Sequence, residues 1–293
     1  KKKKLKIAIC ISGQLRGYHE AFKSWQKFGF NSHDIDIYAS VWRNTGRRKI
    51  QKSHLNRIFH ERFEKVFRDY TSGKSDQEIA YLLPSLYKYF DVDVPITERD
   101  IIDTYSPEKF EIIEDSDFSD KDNKFKMHFM IERSFSLIDD PEKYDLLIRI
   151  RPDKSLDNFN IDWEDIYSTL DDKTIFVSNP CKIHSVVGFV MDDQFAVGKP
   201  NPMREYFTTF RKCQEKEGVF KSEEYHQFRA HMSLFLSLVE QSINVQTIKD
   251  FERDIAWGEL LDAEKISDHH LKKLLKEDVK DKKELAKLIE PLI

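Results

Sequence analysis

Short apolar runs that end in polar or charged residues recur along the chain, and each predicts a β-strand. Residues 5–11 are apolar apart from Lys6, and residues 34–42 alternate before they end at Trp42. Between them lie a polar turn with two glycines and helical spacing over about 18–28. A strand, a turn, a helix and a second strand in this order predict a βαβ unit and therefore a parallel sheet.

The same reasoning divides the rest of the chain into strands and amphipathic helices. Further strands are predicted at 110–114, 146–151, 174–178, 186–191 and 195–198. Helices are predicted at 55–67, at 77–90 with an interruption near Pro84, at 127–138, from about 203 onwards and at about 224–240. We therefore predict one α/β domain over 1–293, with a mostly parallel central sheet flanked by helices. Its core covers about 5–240, and residues 241–293 form peripheral helices.

The turn after the first strand, Ser12-Gly13-Gln14-Leu15-Arg16-Gly17, is a candidate site for nucleotide phosphates or a base. Glycine permits close backbone approach to a ligand, and arginine pairs with phosphate oxygens. The turn has neither the Gly-x-Gly-x-x-Gly of dinucleotide-binding proteins nor the Gly-Lys-Ser/Thr of a Walker loop. A purely structural turn is the alternative.

The most informative stretch is Asp145-Leu-Leu-Ile-Arg-Ile-Arg-Pro-Asp153, where strand-forming residues end in two arginines, a proline and a carboxylate. Because Pro152 lacks an N–H, these charged groups are expected at the strand's carboxyl end, where open α/β sheets bind ligands. Arg149 and Arg151 suit a diphosphate, and Asp153 suits an accompanying Mg²⁺ or Mn²⁺. The alternative is a strand that ends in a surface salt bridge.

Two adjacent acids and two histidines complete the candidate chemistry. Asp192 and Asp193 follow an apolar run, and either is a candidate general base for a hydroxyl group; a turn with solvated carboxylates is the alternative. His226 and His231 lie five residues apart, so they do not form the His-Glu-x-x-His metal motif. For His231 we weigh a metal or phosphate ligand against a histidine on a helix surface, and we favour the surface histidine.

Composition narrows the class of protein. A net charge of only −4 gives no sign of nucleic acid binding. Three widely spaced cysteines form neither a disulfide framework nor a zinc motif and favour a reducing compartment. No apolar run reaches the roughly 18 residues of a membrane span, and no signal peptide is evident. We expect a cytoplasmic protein, and the lysines at 1–4 leave peripheral contact with the inner membrane as an alternative.

Four stretches, in this order and spacing, resemble a family of microbial glycosyltransferase-like proteins with the GT-A nucleotide-sugar fold. They are 6–16, 36–42, 144–153, and 193–198 followed by a Met-x-x-Tyr helix. Such proteins are associated with capsule, lipopolysaccharide and other surface glycans. The resemblance implies transfer of a sugar from a nucleotide-sugar donor to a hydroxyl group of a glycan or glycolipid acceptor.

The resemblance also implies roles for single residues. Ser12, Gly13 and Arg16 would line the nucleotide pocket, Asp153 would stand at the metal position, and Asp193 would lie near the acceptor. Our full set of candidates is Ser12, Gly13, Gln14, Arg16, Arg149 and Arg151 for nucleotide-sugar binding, Asp153 for the metal, and Asp192 and Asp193 for catalysis.

One departure from the family pattern concerns the metal. The usual motif has two acids two residues apart, whereas the first position here is Arg151. We expect a divalent cation, Mn²⁺ or Mg²⁺, at Asp153, and the alternative is that Arg149 and Arg151 carry the charge of the diphosphate. Two other functions remain open: a non-catalytic nucleotide-binding protein on the same fold, and a sugar-phosphate or nucleotidyl transferase.

Overall fold

The computed structural model groups the chain into two compact units. The described residues are 3–26, 30–45, 50–91, 93–157, 162–178, 182–184, 188–225, 228–247 and 265–293. The first unit comprises Lys1–Arg43 and Ile96–Leu260, and the second comprises Asn44–Pro95 and Leu261–Ile293.

The described strands of the first unit form a seven-stranded sheet and a separate two-stranded sheet. They are β1 (Lys6–Gly13), β2 (Asp34–Trp42), β3 (Lys109–Ile113), β4 (Leu146–Ile150), β5 (Thr174–Val177), β6 (Lys182–His184), β7 (Gly188–Val190), β8 (Phe195–Gly198) and β9 (Asn244–Thr247). The larger sheet has the order β3-β2-β1-β4-β8-β5-β9. In it β8 runs antiparallel to β4 and β5, whereas the other neighbours are parallel. The two short strands β6 and β7 pair with each other.

Helices cover both faces of the larger sheet, because its strands are apolar on both sides. In β1, Ile7, Ile9 and Ile11 belong to one hydrophobic cluster, whereas Ala8 and Cys10 belong to the other. The first face packs against α1 (Tyr18–Trp25), α5 (Glu98–Tyr105) and α7 (Trp163–Thr169). The second packs against α6 (Asn123–Ser136), α8 (Pro200–Phe207) and α10 (Ala230–Val239), and α9 (Thr209–Glu215) contacts α6 and α10.

The second unit is helical and has its own hydrophobic core of leucine, isoleucine and phenylalanine side chains. Its helices are α2 (Glu61–Thr71), α3 (Asp76–Leu82), α4 (Pro84–Phe90) and α11 (Asp268–Asp278). Pro84 opens α4, where its missing N–H costs nothing, so the predicted interruption is confirmed. The carboxylate of Asp278 accepts the backbone N–H groups of Ser85 and Leu86 at 2.8 and 3.0 Å, which joins α11 to the start of α4.

The prediction of an α/β fold with a mostly parallel sheet flanked by helices is confirmed, and several element boundaries differ. The helix predicted at about 224–240 begins only at Ala230, because Arg229 before it is extended. The predicted helix at 55–67 begins only at Glu61, after a short 3₁₀ segment, because His60 at the N-cap position is extended. The predicted strand at 186–191 is β7, which pairs with β6 outside the larger sheet. Residues 244–247, expected among peripheral helices, form the edge strand β9. Its polar sequence, Asn-Val-Gln-Thr, lacks the apolar run by which buried strands are recognised.

We predicted a single domain over 1–293 with peripheral helices at its carboxyl end. In the structure, residues 261–293 group with 44–95 rather than with the sheet. No helix among the described residues is both long and apolar enough to cross a membrane.

Candidate functional site

The polar ends of β1 and β4 lie side by side at one edge of the larger sheet. The two strands are parallel neighbours, with Ile11 opposite Ile150 near their carboxyl ends. The chain runs outward from β1 to β2 and β3 and then returns to the other side of β1 as β4. Such a change of direction opens a crevice at the carboxyl ends of the strands, which is where α/β sheets bind ligands. Because β8 is antiparallel to β4, its start lies at the same edge.

The turn after β1 places small and basic groups at this edge. Gly13 has φ +129°, a conformation that other residues rarely adopt, and a Cβ built on it would lie 3.6 Å from Cδ of Pro152. The two strand ends are therefore in contact. Arg16 Nη2 donates to Gln14 Oε1 at 2.5 Å, whereas Arg16 Nε and Ser12 Oγ are buried without a hydrogen-bond partner among the described residues. Burial lowers the pKa of Arg16, and Asp153 opposes this.

At the end of β4, Arg151 and Asp153 form a two-bonded ion pair. Arg151 Nε and Nη2 donate to the two carboxylate oxygens at 3.0 and 2.8 Å. The Asp153 side chain is only 5 % exposed, and that of Arg151 is 28 % exposed. Burial acts to lower the pKa of Arg151, but the carboxylates of Asp153 and Asp193 outweigh it, and the pKa is raised.

Two further cations lie in or under the site. Arg149 is buried, and its Nη1 donates to the carbonyl oxygens of Ser12 and Ile150 at 3.1 and 2.8 Å. Arg149 therefore links the carboxyl ends of β1 and β4. Its Nε has no hydrogen-bond partner among the described residues. Lys154 is completely buried, and its Nζ donates to Gln194 Oε1 at 3.2 Å. Burial lowers the pKa of Lys154, and Asp192 is the largest of the charges that oppose this.

Helix α1 fixes the segment that follows Asp153. Trp25 Nε1 donates to the carbonyl oxygen of Lys154 at 2.7 Å, and the N–H of Leu156 donates to Ser24 Oγ at 3.0 Å. Ser24 and Trp25 form the last turn of α1, which begins directly after Arg16-Gly17. Helix α1, which follows the turn at 12–17, thus positions the segment at 154–156.

The two adjacent acids have different surroundings. Asp192 is tied into the backbone: its carboxylate accepts the N–H and Oγ–H of Ser178 at the end of β5, and the N–H of Gln194 at 2.7 Å. Both of its oxygens are thus occupied by structural bonds. Asp193 is also largely buried, and its Oδ1 lies 3.8 Å from Nδ1 of His231.

His231, at the start of α10, belongs to the same site. Its Nδ1 lies 2.7 Å from the carbonyl oxygen of Met191, which immediately precedes the two acids. Its side chain is 36 % exposed. A second histidine, His128 of α6, is buried near Asp193 and His231, and burial lowers its pKa to about 4. His128 is therefore neutral at pH 7. His226, the other histidine of the sequence analysis, lies outside the described residues.

The side chains around Asp153 do not fit the divalent cation that the sequence led us to expect. Both carboxylate oxygens of Asp153 are taken by the guanidinium of Arg151. Over the described residues, no three His, Cys, Asp or Glu side chains are grouped so that they could hold a metal ion. A cation needs several free oxygen ligands, whereas Asp153 gives both of its oxygens to Arg151 and Asp192 gives both of its oxygens to structural hydrogen bonds. We therefore assign no chemical step to a metal.

Sequence reasoning found the strand ends but missed other members of the site. Lys154 follows Asp153 directly, yet a lysine after a strand is ordinarily solvated, and nothing in the pattern indicates its burial. His128 was hidden on an amphipathic helix, where it resembles an ordinary core position. The Tyr105 hydroxyl is buried near Asp153 without a hydrogen-bond partner among the described residues, and no local signal distinguishes it.

Comparison with known protein families and curated proteins does not assign the chain to a family. No protein-family model matches the chain, and no curated protein shows significant similarity to it.

Proposed function

We propose that the protein is a glycosyltransferase that moves a sugar from a nucleoside-diphosphate sugar to a hydroxyl group of a glycan or glycolipid acceptor. In this proposal the larger sheet and its site form a GT-A-like nucleotide-sugar domain. The product belongs to surface polysaccharide synthesis, such as that of capsule or lipopolysaccharide. The protein would act in the cytoplasm or at the cytoplasmic face of the inner membrane.

One observation supports the proposal above the others: four cations converge where β1 and β4 end. Arg16, Arg149, Arg151 and Lys154 lie there with the carboxylates of Asp153, Asp192 and Asp193. These seven side chains carry one positive charge in excess. The Nε groups of Arg16 and Arg149 are buried without a hydrogen-bond partner among the described residues, which is costly for a charged group, so the site favours an anionic ligand.

The geometry favours a diphosphate over a single carboxylate. The unpartnered Nε of Arg16 and the Oγ of Ser12 are donors at the turn after β1, and the guanidinium of Arg151 lies at the end of the neighbouring strand. Donors on two adjacent strand ends suit a ligand with two separate anionic groups. In this proposal the cations also stabilise the charge that develops on the departing nucleoside diphosphate.

The proposal is tested by titrating the protein with nucleotides and nucleotide sugars. Isothermal titration calorimetry would compare UDP, GDP, UDP-glucose, UDP-N-acetylglucosamine and GDP-mannose, each with and without EDTA. Hydrolysis of the bound donor would be followed by release of nucleoside diphosphate. We expect binding that survives EDTA and slow donor hydrolysis. Failure of every nucleotide to bind would refute the proposal.

The other outcomes distinguish the remaining functions. Binding without turnover, even with acceptor glycans present, would make the protein a nucleotide-binding module. Release of pyrophosphate or nucleoside monophosphate would make it a nucleotidyl or sugar-phosphate transferase.

The substitution Arg16→Ala tests whether the nucleotide binds at this site. A charged hydrogen bond is worth about 1.5–3 kcal/mol, so the dissociation constant should rise about tenfold or more. Arg43→Ala is the matched control, because Arg43 follows the end of β2 but pairs with Glu114 at 2.9 Å.

A further inference from the structure

The segment that carries the two acids also orients an imidazole. Asp192 fixes this segment through its bonds to Ser178 and Gln194, so the carbonyl group of Met191 is held in place. His231 Nδ1 lies 2.7 Å from that carbonyl oxygen. A carbonyl oxygen only accepts hydrogen bonds, so Nδ1 must carry the proton. In the neutral ring, Nε2 is then the nitrogen with the free lone pair.

We propose that His231 Nε2 is the general base that takes the proton of the acceptor hydroxyl group, and that Asp193 and Asp192 position it. This inference rests on the proposed function. It assigns the proton transfer to a residue that the sequence pattern had indicated to be an ordinary surface histidine. Asp192, with both carboxylate oxygens in structural bonds, acts through the backbone of Met191 rather than on the substrate.

The charges around His231 suit this role. Asp193 Oδ1 lies 3.8 Å from Nδ1, so a negative charge stands beside the imidazolium that forms in the reaction. From α6, the buried His128 is neutral at pH 7 and adds no opposing charge. Arg229, just before α10, is exposed, and its Nη1 lies 3.5 Å from Met232 Sδ. The imidazole is 36 % exposed, so the proton it takes up has a path to solvent.

The step balances without another reactant. The hydroxyl proton passes to Nε2, and the oxygen forms a bond to the anomeric carbon of the donor. The bond from that carbon to the diphosphate oxygen breaks, and its electron pair leaves with the nucleoside diphosphate. A single displacement of this kind inverts the configuration at the anomeric carbon, as in hydrolases that activate water by a general base.

The substitution His231→Asn tests the basic nitrogen separately from the hydrogen bond to Met191. The Asn side-chain amide keeps a donor for the Met191 carbonyl but has no basic nitrogen. With water as the acceptor and the nucleotide sugars named above as donors, turnover should fall about 10²–10⁴-fold. UDP or GDP binding should stay within twofold.

His33 is the matched control. It lies where β2 begins, at the amino end of the same sheet, and its Nδ1 accepts the N–H of Leu5 at 3.2 Å. It must therefore carry its proton on Nε2, the reverse of His231. Long-range ¹⁵N–¹H spectra of the whole protein should show these two tautomers, and His33→Asn should keep full turnover.

The outcomes separate this inference from the function on which it rests. No hydrolysis of any donor by the wild-type protein would overturn both. Hydrolysis that His231→Asn leaves unchanged, a released sugar of retained configuration, or a proton on His231 Nε2 at neutral pH would overturn the inference alone.

Discussion

Asp153→Asn and Arg151→Ala should change nucleoside diphosphate binding in opposite directions. In the structure the carboxylate of Asp153 occupies the guanidinium of Arg151 through two hydrogen bonds of 3.0 and 2.8 Å. Asparagine keeps the size of the side chain but removes its charge, so the diphosphate no longer competes with a carboxylate for the guanidinium. If Asp153 held a metal instead, the same substitution would weaken binding.

The magnitude follows from the burial of the pair. Asp153 is 5 % exposed, so an effective dielectric constant of about 20 is appropriate. At a separation of about 5 Å, the Asp153 carboxylate and one unit charge of a bound diphosphate would then repel each other by about 3 kcal/mol. Water and salt near the half-open side reduce this to about 1–2 kcal/mol, and Asp153→Asn should bind UDP or GDP about five- to thirtyfold more tightly. Arg151→Ala removes a charged donor and leaves Asp153 facing the diphosphate, so binding should weaken tenfold or more.

The assay is calorimetric titration of UDP and GDP at low and high salt, with EDTA present throughout and with thermal unfolding as the check on folding. Arg133→Ala is the control, because Arg133 forms a similar two-bonded pair with Glu111 at 2.8 and 2.6 Å outside the site. It should lower stability and leave nucleotide affinity unchanged. Weaker binding in a folded Asp153→Asn protein, or binding that appears only when Mn²⁺ or Mg²⁺ replaces EDTA, would refute this reasoning and return the metal to Asp153.

Two further predictions concern stability. Gly13→Ala should lower the free energy of unfolding by about 1–3 kcal/mol in urea titrations, because φ at Gly13 is +129° and alanine is strained in that conformation. A steric clash adds nothing to this, since the nearest atom to a Cβ would lie at an ordinary 3.6 Å. An unchanged unfolding midpoint would contradict this prediction. Burial raises the pKa of Glu132 from 4.5 to about 7, so the folded state binds the proton more tightly, and this stabilisation is lost as pH rises from about 4.5 through about 7. Glu132→Gln should therefore exceed the wild-type protein in stability by about 1 kcal/mol at pH 8 and match it at pH 4, and equal melting temperatures at pH 8 would contradict this.

Much of the larger sheet could be predicted because its signals are local. The apolar run at 5–11 and the alternation at 34–42 become β1 and β2, and the run before Arg149 becomes β4. The strand β9 escaped prediction because an edge strand buries little surface, so its sequence carries no apolar pattern.

The candidate site was predictable only in outline. Arg16, Arg151 and Asp153 follow strands, and the carboxyl ends of parallel neighbours meet at one edge. The ion pair between Arg151 and Asp153 depends on the direction of the side chains on either side of Pro152. Residue order does not specify that direction. That Asp192 is structural and Asp193 faces His231 depends on contacts between residues 14 and 38 positions apart.

The sequence by itself determined most strands of the larger sheet, the polar ends of β1 and β4 and the residue types that meet there, because side-chain alternation and proline termination act within a few residues. Only the tertiary structure decided which of those groups are buried, paired or oriented. In the folded protein Lys154 is completely buried, and Arg149 donates hydrogen bonds to two backbone carbonyl groups. The imidazole of His231 is oriented by a carbonyl group forty residues away in sequence. Burial and pairing set the charge, the proton position and the ligand preference of each group, and they arise from packing between distant segments, which local pattern does not encode.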